Sequence, residues 1–232
     1  EGPKHYINID NYPEFIANGE ISMDLQENID TYGEDFVEQS GYLPWATINS
    51  YNALVKNLSE GNWEMAKLHA ADLGHYVADG HMPLHITANY NGQFTGNRGI
   101  HYRYESQMVN EFSSEIEYEG EEIQEVAKID EYIFNYLYDN YAYVDSVLLA
   151  DDYAKSVNSN TDSYEYTSAL WQKTEDFTIM LFQKASHALT ELLYTAWVEA
   201  GKPDLTGIEN PAEKEHLNLK IYPNPTSNIS QV

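Results

Sequence analysis

Five nitrogen and oxygen donors stand close together in the chain: His75, Asp79, His85, His101 and Glu105. They fall in HYVADGHMPLH and HYRYE, on either side of a stretch rich in Asn and Gly. His75/Asp79 and His101/Glu105 are each spaced i,i+4, which on a helix stacks both side chains on one face. Imidazole with carboxylate, in a chain without cysteine, is the donor set of a hydrolytic zinc site rather than a thiolate structural one. Three protein ligands and an open position let Zn²⁺ activate water or polarise a substrate oxygen. His85, His101 and Glu105 make one complete set. His75 and Asp79 make a partial second, with His5 of HYINID as its candidate third. Zinc ions a few ångströms apart suit phosphodiester hydrolysis, since together they hold the phosphate and neutralise the leaving oxygen.

The chain carries two arginines, Arg98 and Arg103, and they bracket His101. Two readings stand: bidentate contact with a substrate phosphate, or ion pairs with local carboxylates. The remaining histidines fit other roles. His81 lies off the ligand face and reads as a supporting or surface residue. His69 reads as an ordinary helix histidine, and His187 and His216 stand apart from the cluster. The acidic run Glu115–Glu125 lacks the spacing of a calcium loop and reads as a solvated face.

The elements that must position these donors read as helices. Pro44 and Trp45 open one through Tyr51, Leu54 and Val55. Asn62 is the expected N-cap of a second, from Trp63 to about Asp79, with Leu68, Ala71, His75 and Asp79 on one mostly apolar side. Pro83 ends it and leaves His85 in or beside a loop. Asn89–Gly99 is turn-rich, as a substrate-facing loop would be. A third helix begins near His101 and runs through Phe112. Two long amphipathic segments follow, about Glu121–Leu149 and Thr167–Ala200. Alternating strand patterns are scarce, so the fold class is all-α.

Composition narrows the function classes. Hydrophobic content of 42% with twenty Tyr argues for a folded globule rather than disorder. No apolar run is long enough to span a membrane. A net charge of −26 opposes sequence-blind binding to a polyanion, so stable nucleic-acid binding is not expected.

At the donor residues the sequence resembles the zinc-dependent phospholipase C family and its relatives, the single-strand-specific zinc nucleases. The shared pattern is His-x-x-x-Asp, Pro-x-His, then His-x-x-x-(Glu or Asp). Here it stands as His75…Asp79, Pro83-Leu84-His85 and His101…Glu105, and the match is specific over residues 62–106. The resemblance implies an all-α enzyme with three zinc ions in a cleft. It implies that His5, His75 and Asp79 hold one ion, with Asp79 bridging to a second, and that His85, His101 and Glu105 hold the remaining one. The family's further ligands are a mature N-terminal Trp, a histidine soon after it, and an Asp acting as ligand or general base before the residue matched by His5. None is present, so the chain reads as a fragment of a longer product and the general base is unassigned. Glu105 in HYRYE resembles the phospholipase branch, whereas Pro-Leu-His and His81 resemble the nuclease branch. Asn8 stands where nucleases tend to carry an Asp at the base pocket. The balance favours phospholipase C-like hydrolysis of a phospholipid head-group phosphodiester. The alternatives are a single-strand nuclease or 3'-nucleotidase, and a non-catalytic zinc-binding surface module.

Residues 1–203 therefore read as the helical domain and 204–218 as a polar linker. The tail from 219 to 232 reads as the start of a β element: LKIYPNPTSN is similar to the opening of C-terminal sorting domains used in type IX secretion. That resemblance implies a secreted or surface-held protein. A monomer is expected, with peripheral contact with a lipid surface.

Overall fold

The computed structural model describes residues 2–204. Among these residues there are helices and no strands, so the fold is all-α. The polar stretch from 205 to 218, with His216, and the tail 219–232 lie outside the described residues.

A 3₁₀ turn, Gly2–His5, leads into three short helices: α1 (Pro13–Asn18), α2 (Leu25–Tyr32) and α3 (Glu34–Ser40). Next come α4 (Leu43–Ser59) and α5 (Trp63–Gly80). Their three-residue link, with Gly61 at φ 69°, folds them into a hairpin. A single 3₁₀ turn, Pro83–His85, precedes the Asn/Gly-rich loop. The helix after that loop is composite: α6 (Ile100–Tyr102), a π-helical stretch Arg103–Met108, then α7 (Val109–Phe112). Then follow α8 (Ile129–Tyr141), α9 (Val144–Val157) and the 36-residue α10 (Tyr164–Glu199), which packs on α4, α5, α9 and the π stretch.

Three apolar clusters hold these elements, and the donor residues sit where they meet. Leu84, Ile100, Tyr104 and Met108 join α9 and α10 in the first. Ile7, Ile9, Tyr76 and Ile86 join α4 and α8 in the second. Leu73 and Val77 join α4 and α10 in the third. His85 is thereby fixed between two side chains with no exposed surface, Leu84 and Ile86, which belong to different clusters. Burying one such side chain stabilises the fold by about 1.5–3 kcal/mol.

α5 stops where it does for two reasons. Gly80 lies so close to α8 that a Cβ would sit 2.7 Å from Tyr136 Cε2. Pro83, three residues on, cannot donate to a continuing helix. Asn62 occupies the N-cap position of α5, but its amide donates to Asn57 Oδ1 (3.0 Å) and does not cap. The predicted apolar face of α5 is corrected too. Leu68 is 57% exposed and Ala71 and His75 also face solvent, so only Asp79, at the end of that row, is buried. The expected segment Glu121–Leu149 is not one helix. Residues 121–128 are irregular, α8 starts at Ile129, and the chain turns at Ala142 and Tyr143 before α9 continues to Val157. Glu121, Glu122 and Glu125 would repel one another at i,i+3 and i,i+4. The backbone of this stretch bonds side chains of α10 instead: Gln124 N–H to Glu191 Oε1 (3.0 Å) and Val126 N–H to Thr195 Oγ1 (2.9 Å). Helix α10 begins three residues before the expected Thr167, because the Ser163 hydroxyl accepts the Tyr166 N–H and caps it.

Candidate metal centre

The six donors predicted from sequence come together as two adjacent triads. His5, His75 and Asp79 form one, and His85, His101 and Glu105 the other, with the donor atoms of each within 4.8 Å of one another. In the first, Asp79 Oδ2 lies 3.0 Å from His5 Nδ1 and 3.4 Å from His75 Nε2. In the second, Glu105 Oε2 lies 3.0 Å from His101 Nε2 and 3.7 Å from His85 Nε2. Asp79 joins them, since its Oδ1 is 3.4 Å from His85 Nδ1.

Each donor is set by its local fold. His75 and Asp79 are one turn apart on α5. His5 reaches them because the chain around it is bonded to the start of α4: Tyr42 N–H donates to Pro3 O (2.6 Å) and Leu43 N–H to Tyr6 O (3.2 Å). This contact requires glycine at 41, where φ is 95° and a Cβ would lie 2.1 Å from the Tyr6 carbonyl oxygen. His101 stands in α6 and Glu105 in the π stretch, the kind of local irregularity that often accompanies functional sites.

Two histidines are oriented by backbone oxygens. His85 Nδ1 donates to His5 O (2.6 Å) and His101 Nδ1 donates to Tyr90 O (3.2 Å), which turns Nε2 of both rings towards Glu105. His85 Nε2 is buried and has no hydrogen-bond partner. A buried, convergent and unpartnered imidazole nitrogen is what a metal ligand looks like before the ion is added. The donor set of two imidazoles and a carboxylate, repeated twice, fits Zn²⁺.

The electrostatics follow from crowding. Burial raises the Asp79 carboxyl above its ordinary range, although His85, His75 and His5 pull it down. Glu105 moves the other way: burial opposes its charge, but His101 and His85 hold it well below the carboxylate range. Burial would push His85 down, yet Glu105 and then Asp79 override it and raise its pKa.

Two cavities flank the triads. One of about 400 Å³ has His5, His85 and His101 on its walls, together with Tyr6, Asn8, Gln39 and Tyr90. The other, of about 280 Å³, has Asp79 and Glu105 on its wall together with His81 and Thr178, and is otherwise lined mostly by apolar groups such as Met82, Val109 and Leu181.

Arg103 does not reach the triads. It is buried, donating to Asp151 (2.8 Å), the Tyr166 hydroxyl (2.7 Å) and the carbonyls of Asn97 and Arg98. Arg98 is exposed. His81 is buried against Tyr136, donates Nδ1 to Val77 O (2.7 Å) and is lowered by burial to about 4, so it stays neutral. His69 stands outside both triads, and His187 pairs with Glu191 at 3.1 Å. Most of the Glu115–Glu125 run is exposed. Sequence reasoning passed over the Tyr90 carbonyl, whose signal is its place in the turn-rich loop. It also passed over Asp10, an acid five residues beyond His5.

Among the described residues no helix is long and apolar enough to cross a membrane. Compared with protein-family models, with curated proteins and with solved structures, the chain matches none of them.

Proposed function

We propose that this chain is a zinc-dependent phosphodiesterase of the phospholipase C-like kind, acting on phospholipid head-group diesters. The observation that carries the reading is the pair of His/His/carboxylate triads joined through Asp79. Zinc bound there would supply Lewis-acid polarisation of a phosphoryl oxygen and acidification of a water molecule. The chain's own contribution is to hold the donors. His5 O and Tyr90 O fix the tautomers of His85 and His101, and Glu105 stays ionised between two imidazoles. The apolar residues around Leu84 and Ile86 back the site and keep water from behind it.

The lipid reading draws support from two features. Tyr90, Phe94 and Tyr102 are 50%, 74% and 62% exposed on the loop and helix that carry His101, apolar surface that a bilayer would cover. The net charge of −26 repels a polynucleotide at long range. A single-strand nuclease or 3'-nucleotidase is the second reading. It is favoured by the cavity that places Tyr6 and Tyr90 with the carboxamides of Asn8 and Gln39, a surface suited to stacking and reading a planar base. A zinc-binding module without turnover is the third. Export, and attachment at the cell surface, are proposed from the tail sequence alone.

The test compares the zinc-loaded chain on phosphatidylcholine vesicles and on single-stranded DNA at matched concentration. Phosphocholine release with intact DNA, lost in His85→Ala, is the expected result. Cleaved DNA with intact lipid moves the protein to the second reading. Bound zinc with neither product leaves the third.

A further inference from the structure

We propose that Asp10 is a positioning residue for the His85/His101/Glu105 site, a role that rests on the metal reading above. The inference comes from how the segment after His5 is bonded to the segment after His85. Ile7 N–H donates to His85 O (2.8 Å) and Ile9 N–H to Ile86 O (3.2 Å), so the two stretches run side by side. Asp10 closes this short ladder. Its Oδ2 accepts the Thr87 hydroxyl (2.6 Å) and its Oδ1 accepts the Ala88 N–H (2.8 Å). Both carboxylate oxygens are thus spent on the residues where the chain leaves His85 and enters the loop.

The bonding continues to the other imidazole. Thr87, 1% exposed, accepts the Asn89 N–H on the same oxygen (3.0 Å), and Asn89 Oδ1 accepts the Phe94 N–H (2.9 Å). The next residue, Tyr90, offers the carbonyl that holds His101 Nδ1. Asn91 accepts the Gly99 N–H through its backbone oxygen (3.1 Å) and its side chain (3.0 Å), which returns the loop to α6. Residues 86–91 lie in no helix, so their path is set by single bonds. Asn89 O accepts the Gly92 N–H (2.8 Å), Ala88 O accepts from Gln93 Nε2 (2.6 Å), and Asp10 supplies the two that fall next to Ile86. A carboxylate at position 10 gives the N–H of Ala88 a partner that no helix supplies. The first triad has separate anchors, α5 itself and the bonds from Tyr42 and Leu43 to the chain around His5. Asp10 therefore acts on one site and spares the other. Second-sphere partners of metal-bound histidines set affinity by about 10- to 100-fold.

The experiment uses the whole chain in a His75→Ala background, where the His85/His101/Glu105 set alone is complete. Cobalt(II) is titrated in and its visible absorption recorded, and zinc affinity is measured against a chelator. Asp10→Ala is expected to weaken zinc by about 10- to 100-fold and to shift the cobalt bands. Asp10→Asn, which keeps an acceptor for the Ala88 N–H, is expected to recover part of the loss. Thr87→Val removes the hydroxyl that donates to Asp10 and accepts the Asn89 N–H, and leaves the Ala88 bond. It serves if Asp10→Ala is unfolded by circular dichroism, and its expected change has the same sign. With His75 restored, the ion at the first triad keeps its affinity. Unchanged affinity and bands in both Asp10→Ala and Thr87→Val overturn the assignment, as does equal weakening of both ions. A chain with all six donors that takes up no cobalt overturns the metal reading and the positioning role with it.

Discussion

One short helical stretch faces two kinds of buried charge. Arg103 looks towards Asp151, and its neighbours His101 and Glu105 look towards the triads. Asp151 has no exposed surface and accepts from Arg103, Lys155, Tyr166 and Asn97. Its charge is met by protein donors on every side, and the atom left over, Asn97 Oδ1, is a neutral carbonyl oxygen. At the triads the leftover atom is His85 Nε2, aimed at a carboxylate 3.7 Å away, too far to bond. Charge alone does not separate a structural network from a ligand site. What separates them is whether the protein closes the network on itself.

The comparison predicts opposite responses to truncation. Asp151→Ala leaves the Arg103 guanidinium buried without its partner, a change that costs about 3–5 kcal/mol. Urea denaturation should register that loss while the folded variant still takes up zinc at both triads. A cost below about 1 kcal/mol would mean that the network is not closed in the sense argued.

His85→Ala should behave in reverse. It deletes an unpartnered buried nitrogen along with one useful hydrogen bond, so the metal-free protein should change by only about 1 kcal/mol. The loss appears when zinc is added. An ion present at a hundred times its Kd stabilises the fold by about 2.7 kcal/mol, and His85→Ala should forfeit that for one site, with one fewer zinc per chain. Metal analysis paired with thermal denaturation checks both halves. Undiminished zinc content would sink the second triad.

How much of this was readable in advance follows the same divide. The i,i+4 pairs and Pro83-Leu84-His85 marked five of the six donors, and HYINID offered His5, because a ligand set must present particular atoms and few residue types can do so. The helices that carry His75, Asp79 and His101 were legible from periodicity. The role of Arg103 was not, since its partner Asp151 is 48 residues away and nothing in the sequence announces the pairing. The break between α8 and α9 was hidden for a related reason. Ile133, Phe134 and Leu137 serve one apolar cluster and Val144, Val147 and Leu148 another, but apolar spacing looks continuous until the tertiary targets are known. The π stretch around Glu105 and the backbone oxygens of His5 and Tyr90 leave no mark in residue types either.

A gentler probe of the closed network is pH. Burial works against the Asp151 charge, but hydrogen bonds from Lys155, Tyr166, Asn97 and Arg103 override it and hold the carboxyl below its ordinary value. The folded state therefore binds fewer protons than the unfolded state just below that value. Its contribution is complete above the ordinary carboxylate pKa, near 3.8, and drains away as pH falls through the lowered one. Each unit of depression corresponds to about 1.4 kcal/mol. Denaturation midpoints measured from pH 6 downwards should fall less steeply in Asp151→Asn than in the parent. Parallel curves would show that Asp151 titrates alike in both states.

The smallest effect tests spacing itself. His187 and Glu191 repeat the i,i+4 arrangement of His75/Asp79 and His101/Glu105, and their side chains are 3.1 Å apart. Spacing would make them a third ligand pair, but the surroundings do not. Glu191 already accepts from the Tyr132 hydroxyl (2.8 Å) and the Gln124 N–H (3.0 Å), so its oxygens are engaged by the protein as those of Asp151 are. His187 Nδ1 is buried without a hydrogen-bond partner, as His85 Nε2 is, but here the carboxylate is already engaged and no further donor completes a triad among the described residues. His187→Ala should therefore leave zinc per chain unchanged and lower stability by about 1 kcal/mol, the range of one hydrogen bond, since the buried Glu191 keeps its bonds from Tyr132 and Gln124. A lost zinc equivalent in that variant would make histidine–carboxylate spacing sufficient by itself, and the distinction between open and closed networks would lose its force.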